Sequence, residues 1–115
     1  MTVNRIPWDL EEAVALYDLY FRNGQSISPP MNELHQLSVQ LNRRANILGI
    51  KADEKFRNIS GLKLQLGCIQ YVVTGGKQGM SNANKLFYKV FDLYKDDPDR
   101  YNSILKEFRK KYSSR

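Results

Sequence analysis

The side chains best suited to catalysis are scarce in this sequence, which contains one cysteine, Cys68, and one histidine, His35. Cys68 lies in an apolar stretch, residues 66–69, which favours a buried packing cysteine over a reactive thiol. His35 follows Leu34 in a helical pattern and is expected at or near the surface. One cysteine cannot form an internal disulfide, and one histidine beside it does not make a metal site. We therefore expect no catalytic residues, no cofactor and no metal.

A glycine-rich segment, Thr74–Gly79, carries a lysine at position 77 and superficially suggests a phosphate-binding loop. Such a loop follows a strand, ends in Gly-Lys-Ser or Gly-Lys-Thr and belongs to a larger nucleotide-binding domain. This segment has none of those features. We expect an ordinary flexible loop.

The charge is unevenly distributed along the 115 residues, whose formal net charge is +6. Residues 1–42 have a net charge of −3, residues 43–95 of +7 and residues 96–115 of +2. A basic centre of this kind favours a polyanionic partner such as nucleic acid, although a solvated basic face is the alternative. No apolar run is long enough for a membrane span or a signal peptide, so we expect a cytoplasmic protein.

The elements that would position these charges are helical. Apolar residues at helical spacing predict an all-α fold, a single domain over residues 1–115 with about five helices and a core over about 8–112. The first helix is capped by Asp9 with Glu12 at the reciprocal capping-box position, and the second runs from about Met31 to about Leu48. The fifth begins at Pro98, with Asp97 as its cap.

The third and fourth helices are predicted from serine caps. Ser60 is expected to cap a helix that runs to about Tyr71, although Tyr71–Thr74 is also compatible with a strand. Ser81 is expected to cap the fourth helix. A helix-turn-helix-like arrangement is compatible with the central segment. The predicted core comprises Val14, Tyr17, Leu37, Leu41, Phe87, Val90, Ile104 and Phe108, and Leu48 continues the apolar stripe of the second helix.

Four landmarks along residues 8–94 carry a resemblance. They are Trp8 with its acidic cap and residues 16–21, the Glu33–Leu41 pattern, the stretch Phe56-Arg57-Asn58 through Leu64, and Gly79–Asn82 followed by Lys85 and Phe91. Their order resembles the small helical N-terminal domain found ahead of HNH nuclease domains in bacterial restriction endonucleases, including McrA-like enzymes that cut modified DNA. No HNH motif is present, so the resemblance implies recognition of DNA rather than cleavage.

The expected nucleic-acid contact is the segment from Arg57 to Lys63, where the basic centre, a helix start and the most family-like residues coincide. Arg57 is expected to contact phosphate, although an ion pair with Asp53 or Glu54 is the structural alternative. The family usually has Pro-Asn-Gly where this chain has residues 59–61, Ile-Ser-Gly, so a role in contacting the backbone is favoured over one in reading bases. The full set of candidate residues is Arg43, Arg44, Arg57, Asn58, Ser60, Lys63, Gln70, Lys77 and Asn82.

Two functions of different classes follow from this sequence. The first is a DNA-binding module of a restriction-type nuclease, with double-stranded DNA as the partner and the reading of a modified base left open. The second is a protein-interaction domain that docks a nuclease domain or a partner subunit. Salt dependence separates them, because neutralising phosphates releases counterions and makes DNA affinity fall steeply with salt.

Overall fold

Five α-helices form the part of the chain that the computed structural model describes, residues 6–81 and 84–113. They are α1 (Leu10–Arg22), α2 (Met31–Ile47), α3 (Ile59–Val73), α4 (Lys85–Asp96) and α5 (Pro98–Tyr112). The described residues contain no strand, and the segment at Tyr71–Thr74 that also suited a strand ends α3 instead. The all-α prediction is therefore confirmed.

Helix α1 lies at the centre of the fold and contacts all four other helices. The outer helices contact one another in the order α2, α3, α4, α5 and back to α2, whereas the described parts of α3 and α5 do not touch. A helix enclosed in this way needs apolar residues on more than one side. Accordingly Ala15, Leu16 and Leu19 are buried in addition to Val14 and Tyr17, the two α1 residues of the predicted core.

The helix directions explain much of the charge pattern. Arg44, near the C-terminal end of α2, and Lys111, near that of α5, pair with Asp9 and Glu11 at the start of α1. Carboxylates favour the positive end of a helix dipole and cations the negative end. Both outer helices therefore run antiparallel to α1, and their basic ends meet its acidic one.

The caps agree with the sequence for α1 and α5 and differ for α3 and α4. The Asp9 carboxylate accepts the backbone N–H of Glu12 at 3.0 Å in a complete capping box, and Asp97 accepts that of Arg100. Ser60 and Ser81 are not caps: Asn58 accepts the N–H of Gly61 at 2.8 Å, and Asn84 that of Phe87 at 3.1 Å. Asparagine caps a helix at least as well as serine, and Asn58 starts α3 before Ser60 is reached.

The connection between α2 and α3 covers residues 48–58. A helix-turn-helix motif joins its helices by a turn of about three or four residues. The longer connection rules out a compact motif of that kind here.

The predicted core is confirmed at seven of its eight positions, and the eighth, Ile104, is partly buried against it. Leu41, on α2, is fully buried. Leu48 is wrong as a member of the α2 stripe, because the helix has ended at Ile47 and its side chain is 52% exposed. Cys68 is buried as expected, and burial raises the pKa of its thiol.

Two buried tyrosines are expected to make the fold sensitive to alkali. Burial raises the pKa of Tyr17, whose hydroxyl donates to the carbonyl oxygen of Phe87 at 2.8 Å, and that of Tyr101. In the unfolded chain both ionise near pH 10. Their contribution to stability is therefore fully present below about pH 10 and is lost above it, by up to about 1.4 kcal/mol per pH unit for each ring.

Urea unfolding at a series of pH values from neutral to strongly alkaline measures this loss. Tyr101→Phe removes one ionising group and should flatten the decline. Tyr88→Phe, at a 45% exposed ring, controls for the loss of a hydroxyl. An equal decline in Tyr101→Phe and in the unsubstituted protein would contradict the assignment.

Candidate nucleic-acid interface

Arg57 lies inside a cluster rather than on an open surface. Its Nε and Nη2 atoms donate to the two carboxylate oxygens of Glu12, each at 2.8 Å, and its Cζ lies 4.3 Å from the ring centroids of both Trp8 and Phe56. The side chains of Arg57 and Glu12 are only 8% and 3% exposed. The ion-pair alternative was thus correct in kind, but the partner is Glu12, not Asp53 or Glu54. The guanidinium group is therefore engaged in contacts within the protein.

Arg44 and Arg43 also hold helices together. Arg44 is buried, and its Nη2 contacts Asp9 Oδ2 at 2.7 Å while its Nε donates to Glu11. Arg43 donates from Nη1 to the carbonyl oxygen of Tyr112 at 2.7 Å, at the C-terminal end of α5. Arg44 is therefore withdrawn from solvent, whereas Arg43 is half-buried and keeps part of its guanidinium group without a partner among the described residues.

The remaining candidates divide between the two ends of α3. Asn58 uses its side-chain oxygen as the cap, and Ser60 is exposed in the first turn with Lys63 exposed just beyond it. At the other end, Gln70 lies 3.4 Å from the side-chain oxygen of Gln78, and Lys77 is exposed in the following loop. The structure therefore does not bring the predicted set into one cluster. Asn82 lies outside the described residues.

The loop after α3 is tied to that helix. The N–H groups of Gly76 and Met80 donate to the carbonyl oxygens of Tyr71 and Gly67, at 2.8 and 3.0 Å. Gly79 has φ +92° and lies so close to the α3 backbone that a Cβ atom would overlap the Gly67 carbonyl oxygen. The loop is thus attached rather than loose, and it fixes Lys77 beyond the end of α3.

The backbone hydrogen bonds of the loop leave its N–H groups unavailable for binding an anion. The N–H groups of Gly75, Gly76 and Lys77 all donate to backbone carbonyls of residues 71–74. A phosphate-binding loop needs its N–H groups directed at the ligand. The rejection of that motif from sequence agrees with this geometry.

A long stretch of the chain without acidic residues is the main electrostatic feature that the charge totals above do not single out. No Asp or Glu occurs between Glu54 and Asp92, and we call residues 55–91 the basic segment. Its five lysines are all exposed, and none has an acidic partner within 4.0 Å among the described residues; they are Lys55, Lys63, Lys77, Lys85 and Lys89. Lys63 on α3 and Lys85 and Lys89 on α4 lie on helices that pack against each other, and Lys55 and Lys77 lie in the connections at the two ends of α3. The absence of acids was visible in the sequence.

An open cavity of about 540 Å³ lies where the start of α4 meets α3 and the approach to α1. Its lining consists of Ile6, Pro7, Trp8, Arg57, Gln65, Asn84 and Leu86. The sequence reasoning did not select Gln65 or Asn84, because nothing local indicates that they share a cavity. The lining combines apolar walls with two neutral amides.

A second cleft, of about 350 Å³, lies between α1, α2 and α5. Its charged groups are paired with one another: Arg22 contacts Asp18 and Glu33, and Arg109 contacts Asp18 at 2.8 Å. These pairs link three helices.

Comparison of the chain with models of protein families, with curated proteins and with solved structures finds no match. Among residues 6–81 and 84–113, no helix has the length and apolar character needed to cross a bilayer.

Proposed function

We propose that this chain binds nucleic acid, with duplex DNA as the principal partner, through the basic segment and without catalysing a reaction itself. The observation that carries the proposal is a set of five exposed lysines without acidic partners among the described residues: Lys55 just before α3, and four more on α3, the loop after it and α4. Phosphate neutralisation by Lys and Arg supplies most of the sequence-independent affinity for DNA. Lysines already paired with carboxylates contribute less, and these five have no such partners in the described structure.

The finer proposal is that the chain serves a restriction-type nuclease. It rests on the resemblance to the helical domain that precedes HNH nuclease domains. Two of its landmarks, Trp8 and Phe56-Arg57, pack against each other around Glu12. These landmark residues therefore stabilise the fold, and the support for DNA binding comes from the charge of the exposed lysines.

Duplex binding as a function of salt tests the proposal. We expect affinity for a short duplex to fall log-linearly between about 50 and 200 mM salt. The double variant Lys63→Ala, Lys77→Ala should weaken binding to all sequences and reduce the slope by about 0.9 for each phosphate that is no longer neutralised. Fluorescence anisotropy of a labelled duplex measures both quantities.

The matched control is Lys106→Ala, Lys110→Ala on α5, which lies across α1 from α3. Both double variants remove two positive charges from exposed lysines, so a difference between them reports position rather than net charge. Equal losses in the two variants, or no binding by the unsubstituted protein at low salt, would contradict the proposal.

Docking of a protein partner is the second candidate, favoured by exposed apolar residues at the end of α2. Ile47 and Leu48 are 62% and 52% exposed, next to the half-buried Ile50. Exposed apolar side chains that adjoin one another suit a protein contact, although scattered ones need no explanation. This function would be favoured by three results together. The protein binds no DNA at low salt, it pulls down a co-expressed nuclease subunit, and Ile47→Ser abolishes that pull-down.

A further inference from the structure

The cavity beside Trp8 has the dimensions and walls of a small-ligand site. Its volume of about 540 Å³ falls within the range of about 300–1,000 Å³ typical of such sites. The indole of Trp8 and the side chain of Leu86, both partly buried, form apolar walls together with Pro7. The cavity therefore presents apolar side chains to any ligand that enters it.

The polar groups of the cavity are neutral amides with unused hydrogen-bonding capacity. Gln65 is half-buried and its side chain has no hydrogen-bond partner among the described residues. The Oδ1 atom of Asn84 accepts the N–H of Phe87, and its amide NH₂ group remains as a donor. Side-chain amides of this kind pair with the donor and acceptor edges of nucleobases.

The charge inside the cavity argues against a bare anion as the occupant. Arg57, the only charged residue of the lining, is neutralised by the two oxygens of Glu12. Positive charge instead lies outside the lining, where Lys85 directly follows Asn84 and Lys89 lies one turn further along α4. The first turns of α3 and α4 contain no acid that would repel a phosphate. A ligand that places a neutral heterocycle inside the cavity and phosphates outside it matches one nucleotide of a nucleic-acid strand.

We propose that the cavity receives a single unpaired nucleobase of the bound nucleic acid, contacted by Gln65 and Asn84, while Lys85 and Lys89 hold the adjoining phosphates. This inference rests on the proposed function. A base can enter such a cavity only when it leaves the helical stack, and that step is easiest where the base is mismatched or single-stranded. The chain should therefore prefer a duplex with one unpaired base over a fully paired duplex.

The sole tryptophan of the chain, Trp8, lines the cavity and reports its occupancy directly. We expect Trp8 emission to change on titration with a duplex that carries one bulged base. The midpoint of this change should equal the midpoint of the binding curve measured by anisotropy. Binding to the bulged duplex should be at least about tenfold tighter than to its paired counterpart, the gain of about one good amide–base contact. The fully paired duplex should leave the emission unchanged.

Gln65→Leu should abolish the preference for the bulged duplex while keeping the salt slope. The matched control is Gln36→Leu, an exposed glutamine of α2 that lines the other cleft. Asn84→Ser provides a second variant, since serine retains an oxygen for the helix cap but lacks the amide. It too should reduce the preference.

The outcomes separate this inference from the function on which it rests. If the protein binds DNA with the expected salt slope, but Trp8 emission is unchanged or Gln65→Leu retains the preference, the cavity assignment is overturned and the proposed function stands. If no duplex binds at low salt, but free nucleosides change Trp8 emission and Gln65→Leu abolishes that change, the proposed function fails. The cavity would then be supported as a nucleobase site.

Discussion

Replacement of Arg57 by alanine should lower the free energy of unfolding by about 3–5 kcal/mol, the usual cost of removing one partner of a buried ion pair. The substitution would leave the carboxylate of Glu12, which is only 3% exposed, without its two charge-assisted hydrogen bonds. It would also remove the guanidinium group that packs against the rings of Trp8 and Phe56. Urea unfolding followed by circular dichroism measures the change.

A double-mutant cycle isolates the pair from the rest of the cluster. Glu12→Ala should also be strongly destabilising, and the double variant should cost clearly less than the sum of the two single losses, because neither charge is then left unpaired. Lys63→Ala, at an exposed lysine, should change stability by less than about 0.5 kcal/mol. Additive single losses, or a loss in Arg57→Ala no larger than that in Lys63→Ala, would contradict the structural role of Arg57.

Leu41→Ala is expected to cost about 2–5 kcal/mol, because it opens a cavity at a side chain that is fully buried. Leu48→Ala is the matched control: it makes the same chemical change seven residues later, at a side chain that is 52% exposed. Its effect should remain below about 0.5 kcal/mol. Similar losses in the two variants would mean that the buried face of α2 has been assigned wrongly.

The features that the sequence predicted well are those set by neighbouring residues. Asp9 with Glu12, and Asp97 with Pro98, form caps within one helical turn, so their types and spacing contain the necessary information. The serine caps failed because Asn58 and Asn84, themselves good caps, stand close to Ser60 and Ser81. Sequence alone ranks such competing caps poorly, since each offers the same hydrogen bond to a slightly different first turn.

The features that the sequence could not provide depend on residues far apart in the chain. Arg57 lies 45 residues from Glu12, and Arg44 lies 35 residues from Asp9. The neighbouring sequence of each arginine favours a phosphate contact, because the distant acidic partner is not part of that sequence. By contrast, Lys63 and Lys77 are exposed, and neither has an acidic partner within 4.0 Å among the described residues.

The central position of α1 bears on how the protein is made. Of the five helices, α1 is the first to emerge from the ribosome, and it is enclosed on all sides by helices synthesised after it. Until the four other helices have emerged and docked, the nascent chain exposes apolar residues of α1 such as Leu16 and Tyr17. Chains that expose apolar surface during synthesis are prone to aggregation and depend on chaperones. Recombinant yield should therefore depend on chaperone supply more than the small size of the fold would suggest.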